Sequence, residues 1–234
     1  MLRAGRADVD LQEESEKMKK VVLMLALAVA AVAGADIRAV TPVPQNADTN
    51  SWWMKRHAQK MELVKKGGSK VVFIGDSITH FWESHGKEQL KKYFSEGDMK
   101  MLDLGISADR TEHVIWRLTE GKELDGYEAK CILLMIGTNN TWHRNDKPEA
   151  LAAGIRKVLD VIAKKQPQAK VLLLPIFPFG SSPQDAKRVN NEKVNAIIKG
   201  FADGKSVIWV DFGEKFLDEK GDNVKWMPDH CHPN

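Results

Sequence analysis

In "KVVFIGDSITHFW" (70–82) an apolar run stops at Gly75, Asp76 and Ser77. Further along, "LGISADR" holds Gly105 and "MIGTNN" holds Asn139. The chain closes with "MPDHCHPN", which holds Asp229 and His232. A serine hydroxyl attacks a carbonyl carbon once a base removes its proton. Histidine is a fitting base, because unperturbed imidazole titrates near pH ~6.5. A carboxylate three residues before it can hold the ring's tautomer through a short turn. The oxyanion formed by attack needs donors already aimed at it. The Ser77 N–H, the Gly105 N–H and the Asn139 amide are the candidates, and Gly105 suits because a missing side chain lets a substrate approach the backbone. Singly, each residue has a plainer reading. Ser77 alone is a helix cap, Gly105 and Asn139 are turn residues, and His232 is a surface histidine. Their joint order favours acyl transfer. Asp76 reads as support for its turn, accepting nearby backbone N–H groups. Asp211 stays open as a second candidate for the acid.

Such residues must be positioned by elements, and the chain alternates strand and helix signals. The strands expected are "KVVFIG", "MKMLDLG", "AKCILLMIG", "AKVLLLPIF" and "KSVIWVDFG". The first, third and fourth are continuous apolar runs, the pattern of strands buried on both faces. Helices are expected over "WWMKRHAQKMELVKK", stopped by Gly67 and Gly68, from Glu83 to Phe94, and over Thr111 to Leu118. Two more run from Pro148 and from near Pro183 to Gly200. This alternation predicts an α/β fold, a mostly parallel sheet covered on both faces. Ligand sites in such sheets lie beyond the carboxyl ends of the strands. Ser77, Gly105 and Asn139 follow three of those ends.

"FIGDSIT", "LGISADR", "MIGTNN" and "DHCH" resemble the four sequence blocks of the SGNH (GDSL-type) hydrolases. "GISADRTEHVIWRLTEGKEL" and "LLMIGTNN" look closest, within that family, to the platelet-activating-factor acetylhydrolase catalytic subunits and similar bacterial acetylesterases. The resemblance runs from about Pro42 to the end. It implies a three-layer αβα sandwich, flavodoxin-like, with a five-stranded parallel sheet, and ester hydrolysis without a metal or other cofactor. By position it implies Ser77 as nucleophile, His232 as base with Asp229, and Ser77, Gly105 and Asn139 as oxyanion donors. Ile78 stands where the family usually has Leu. Family members usually continue into a C-terminal helix, whereas this chain stops two residues after His232. On the resemblance, lower stability and a loosely held His232 are expected.

Substrate is less legible. Trp82, Trp142 and His143 lie near strand ends, where they can stack on a sugar ring or simply pack. The expected function is removal of short acyl groups, O-acetyl on carbohydrate first. A lipid acyl ester is the alternative, and a non-catalytic carbohydrate-binding module the second. No long apolar lid is present, which favours a short acyl group. The α/β-hydrolase elbow G-x-S-x-G is absent, since Thr79 takes its last place. No phosphate-binding glycine motif occurs; "GFADGKS" is one residue short of a Walker loop and precedes a strand. Three adjacent residues of "DHCH" are poorly spaced for one zinc ion, and no C-x-x-C accompanies them.

The 234 residues suffice for one domain, and a net charge of +3 is too small to point to nucleic acid. The lysine pair of "MKK" at Met18, the apolar Val21–Ala35 run and its A-x-A ending form a signal peptide pattern. That run is shorter than the roughly 20 residues of a spanning helix. Residues 1–35 therefore read as an upstream extension plus leader, with Met18 a second candidate start, 36–50 as a lead-in, and 51–234 as the folded domain. A secreted or periplasmic protein is expected, without a membrane span; a homodimer stays open. Cys131 starts the third strand and Cys231 lies in the closing loop, so no disulfide is expected between them.

Overall fold

Among the described residues, five apolar runs form five parallel strands: β1 (Val71–Gly75), β2 (Met101–Gly105), β3 (Cys131–Met135), β4 (Lys170–Leu173) and β5 (Val207–Trp209). Their order is β2-β1-β3-β4-β5. The computed structural model describes residues 36–95, 100–223 and 225–234; the predicted leader lies outside them. The described unit starts at Ile37, and no described helix is long and apolar enough to cross a membrane.

The helices are α1 (Trp52–Lys66), α2 (Ser77–His80), α3 (Lys87–Tyr93), α4 (Thr111–Leu118), α5 (Thr138–Arg144), α6 (Pro148–Lys165) and α7 (Ala186–Lys199). Alternation along each strand serves two faces. Val72, Ile74, Leu104, Ile132, Leu134 and Leu173 join one core with Val114 and Leu118 of α4, Ile155 and Leu159 of α6, and Val194 and Ile198 of α7. On the other face Phe73 meets the rings of Trp82 and Phe94 edge-on. Burial on both faces is why these strands read as unbroken apolar runs. The arrangement is a flavodoxin-like three-layer α/β fold, doubly wound from β1 outward.

Two elements differ from the sequence reading. The helix expected from Glu83 to Phe94 is broken. α2 runs into a 3₁₀ turn, Phe81–Glu83, and α3 begins only at Lys87. Gly86, the residue before α3, sits against Trp82, where a Cβ would come within 2.6 Å of the indole. Conversely, "TNNTWHR" forms α5. Gly137 enters it at φ 130° and Asn145 ends it in the left-handed region. Seven polar and aromatic residues carry no apolar periodicity, so this helix is silent in the sequence.

The register sets the site. Gly75 pairs with Gly105 on one side and with Met135 on the other. The carboxyl ends of β2, β1 and β3 are therefore level, and the segments after them share one edge of the sheet. That edge is where the strand order reverses, the usual ligand position in open α/β sheets.

Candidate active site

Ser77 opens α2 without capping it. The cap is Asp76, whose Oδ1 accepts from the Ile78 N–H at 3.0 Å. The Ser77 hydroxyl is thereby free, and it donates to His232 Nε2 at 2.8 Å. The other ring nitrogen of His232 donates from Nδ1 to Asp229 Oδ2 at 2.6 Å. Asp229 Oδ1 accepts from the Cys231 and His232 N–H groups at 3.0 and 2.8 Å. The three-residue spacing thus closes a small turn that orients ring and carboxylate together. Burial pushes the Asp229 carboxyl up, but these bonds and the His232 imidazole outweigh it and hold the group below its ordinary value. Asp211 lies elsewhere, its Oδ1 accepting from the Gly213 N–H at 3.0 Å.

Asn139, in the first turn of α5, is buried. Its Nδ2 donates to the Asp109 carbonyl at 3.0 Å and to Asp76 Oδ2 at 3.4 Å. The amide therefore faces the segment carrying Ser77. Asp76 is fully buried; burial pushes its carboxyl up to about 6, against the Ile78 N–H and the charge of His232. Gly105 is placed differently. Its N–H donates to Asp103 Oδ1 at 2.6 Å, and a Cβ there would lie 2.3 Å from the His80 backbone nitrogen. The glycine is needed for close approach of β2 to α2, and its N–H is already engaged. Three residues on, Ala108 has φ 64°, a strained value for a residue with a Cβ. Among the described residues its N–H has no hydrogen-bond partner.

Cys231 Sγ lies 4.0 Å from His232 Nε2, a second potential nucleophile beside the ring. Burial, with Asp76 and Asp229 nearby, pushes this thiol up to about 12. It stays protonated at neutral pH, and only a thiolate attacks well. Cys131 and Cys231 are both free thiols. His230 and His232 turn their rings to different partners, Asn223 and Asp229.

Of the aromatic candidates, Trp82 packs on Phe73 and lines an apolar groove of about 520 Å³ that also reaches Ile78, Leu133, Met135, Phe177 and His232. Trp142 is 48% exposed. One face of its ring carries Lys187 Nζ, 4.0 Å from the centroid, and Phe179 meets it edge-on at 4.7 Å. His143, beside it on α5, is exposed.

Sequence reasoning missed the supports of these groups. His80, one turn after Ser77, has its Nδ1 2.9 Å from Ser107 Oγ; burial, with Arg56 and Lys60, pushes it down to about 4, so it is neutral. The Arg117 guanidinium, fully buried on α4, donates to Asp109 Oδ2 and to the Leu104 carbonyl, both at 2.7 Å. No periodic or motif signal marks such residues; the "WRL" of α4 was legible only as helix.

A hydroxyl, an imidazole and a carboxylate linked in series at the carboxyl edge of a doubly wound sheet define the serine-hydrolase class of α/β proteins. Residues 73–234 match the model of the GDSL-like Lipase/Acylhydrolase family, and the chain belongs to that family. The alpha1 subunit of platelet-activating factor acetylhydrolase IB from Pongo abelii is 34% identical over 159 residues, 68% of this chain and 64% of that one. The chain thus spans a little under two thirds of that relative. A GDSL-like lipase from Bacteroides thetaiotaomicron superposes with a TM-score of 0.62 at 20% identity, covering 77% of this chain and 88% of that one. An acetylxylan esterase from Geobacillus stearothermophilus gives 0.55 at 19% identity, with 72% and 88% covered.

Proposed function

We propose that the protein is an exported serine esterase that hydrolyses short acyl esters, with O-acetyl groups on carbohydrate as the leading substrate class. The observation that carries the reading is the Ser77–His232 hydrogen bond at 2.8 Å, backed by Asp229. In the proposed reaction Ser77 Oγ attacks the ester carbonyl carbon while its proton passes to His232 Nε2. Asp229 holds the Nδ1–H and stabilises the imidazolium. The tetrahedral oxyanion is met by the Ser77 N–H and the Asn139 amide, which gives up its long bond to Asp76. Gly105 serves by close packing, and the unpartnered Ala108 N–H of the same loop is the third donor in its stead. Collapse expels the alcohol, which takes the proton from Nε2. Water, activated by His232, then hydrolyses the acyl-serine.

Acetyl selectivity is supported by relatives named acetylhydrolase and acetylxylan esterase. A carbohydrate alcohol is supported by the exposed ring face of Trp142, beside His143. Export is supported by the leader pattern of residues 18–35 alone. A second reading, a longer acyl chain, is favoured by the apolar groove that reaches His232.

Acetylated oligosaccharides and nitrophenyl esters of rising chain length separate these readings. Turnover highest for acetyl supports the first; turnover rising with chain length supports the second. Ser77→Ala is expected to lower kcat by about 10⁴-fold or more with an unchanged circular dichroism spectrum. Activity retained in that variant removes the mechanism.

A further inference from the structure

The segment before α1, read from sequence as a lead-in, is bonded into the oxyanion side of the site. Thr111 Oγ1 donates to the Ala39 carbonyl at 2.8 Å. Gln45 reaches further. Its Nε2 donates to the Ser107 carbonyl at 3.1 Å and to Asp109 Oδ1 at 3.2 Å. The same Asp109 oxygen accepts from the Trp53 Nε1–H at 2.7 Å, and the other oxygen accepts from Arg117 at 2.7 Å. Asp109 and Trp53 are both almost completely buried. Arg117 in turn holds the carbonyls of Leu104 and Gly75, at 2.7 and 3.3 Å, at the carboxyl ends of β2 and β1.

The segment after β2, residues 106–110, therefore has its backbone and its one buried acid tied from three directions: the lead-in, α1 and α4. Its output is specific. The carbonyl of Asp109 is the partner that Asn139 Nδ2 bonds most closely, so wherever this segment sits, the amide of Asn139 follows. A side-chain donor is useful to an oxyanion only when held in place before the charge develops.

We infer that Gln45, acting with Trp53 on Asp109, is a positioning residue for the Asn139 amide. The inference rests on the esterase reading for its catalytic consequence, though not for its structural one. Gln45 contributes no atom to the reaction. It removes the freedom of the segment from Ser107 to Asp109 to slide, and with it the freedom of the amide. Trp53 does the same through the same Asp109 oxygen. Gln45 is the more incisive probe because it is only part-buried and lies outside every helix and strand.

The test uses Gln45→Ala and Trp53→Phe in the full chain. Two readouts are taken beside the melting temperature: kcat and KM for 4-nitrophenyl acetate, and the Asn139 side-chain amide signals in ¹⁵N-resolved NMR, assigned with Asn139→Asp. In each variant kcat is expected to fall about tenfold, less than the ~100- to 1000-fold of losing an oxyanion donor outright, with KM within about twofold. The Asn139 amide signals are expected to shift or broaden while the bulk of the spectrum holds. Wild-type kcat in both variants overturns the inference. So does a loss of activity that only tracks the folded fraction, or an Asn139 signal that does not move. If the wild-type chain turns over no ester, the esterase reading fails, and the Asn139 signals alone decide whether Gln45 positions the amide.

Discussion

The two halves of the site are built in opposite ways. Ser77, Asp76 and Asn139 follow the level ends of β1 and β3; Asp76 and Asn139 are buried, and Asp109, whose carbonyl holds Asn139, is itself tied by the lead-in, α1 and α4. His232 and Asp229 sit on an irregular closing segment; the Asp229 side chain is 56% exposed and that of His232 25%. What holds this second half is a pair of buried polar hubs. Asn223 donates from Nδ2 to the Pro178 carbonyl at 2.8 Å, and its Oδ1 accepts from His230 Nδ1 at 2.7 Å. Arg188 of α7 donates to the carbonyls of Phe179 at 2.8 Å, Gly180 at 2.6 Å and Gly221 at 2.5 Å. The Gly180 N–H closes the circuit on the His230 carbonyl at 3.0 Å. One half is positioned by a sheet and buried carboxylates, the other by side chains that satisfy loop carbonyls. Regular strands supply their own hydrogen bonds; a loop must borrow partners for each buried backbone group. In the structure the turn that carries His232 is bonded through His230 to Asn223.

The contrast is broken most severely by removing the proposed base. His232→Ala is expected to reduce kcat by about 10⁴-fold or more, and Asp229→Asn by less, about 10³-fold. An imidazole also bonded to Ser77 keeps part of its orientation when the half-exposed carboxylate changes. Steady-state kinetics on a nitrophenyl acetate decide it, and equal losses would mean that the exposed carboxylate matters as fully as the ring.

A smaller effect is expected at the hub. Asn223→Ala leaves the reacting groups intact but frees the His230 turn, so kcat should fall about 10- to 100-fold through misplacement of His232. Melting temperature falls as well, because the Pro178 carbonyl loses its partner. If kcat is unchanged while the melting temperature drops, Asn223 holds the fold and not the base.

The gentlest probe is pH. The Asp76 carboxyl is raised by burial to about 6 from 3.8, so between about pH 4 and pH 6 the folded chain binds a proton that the unfolded chain has released. The contribution of Asp76 to stability then falls as pH rises through that window, by up to about 3 kcal/mol, and levels off above it. Asp229, held low, acts in the reverse sense: its contribution is present above about pH 4 and is lost on further acidification. In urea unfolding at pH 4, 5, 6 and 7 the wild type is expected to lose stability relative to Asp76→Asn across that window, a difference that removes the contributions of Asp103 and Asp109, raised to about 6 and about 7, and of His80, lowered to about 4. An identical slope in the variant would place the proton elsewhere.

Part of this site was legible because its geometry is local. Asp229 and His232 are three residues apart, and such spacing can close a turn whatever surrounds it. Asp76 was readable as a turn-supporting acid for the same reason, although it took the capping role assigned to Ser77 in the plainer reading. Gly105 was read, from its place at a strand end, as an oxyanion donor. Its engaged N–H depends on Asp103, whose side chain folds back over two residues, and neither residue type announces that. Gln45 and Arg117 gave no signal at all, since a buried polar residue is marked by its partners and not by its neighbours in sequence. Gln45 and Ser107 are 62 residues apart.

The sequence by itself determined the strand and helix alternation, and hence a parallel sheet with both faces covered, because apolar periodicity is a property of the chain alone. It also determined which residue types stand at the strand ends. Only the tertiary structure decided that Ser77 and His232, 155 residues apart, come within a hydrogen bond, and that the Gly105 N–H is engaged by Asp103. Those outcomes depend on strand register and on the long-range bonds made by Gln45, Arg117, Arg188 and Asn223. A difference of a few tenths of an ångström there separates a donor that is free from one that is engaged, and no local pattern encodes it.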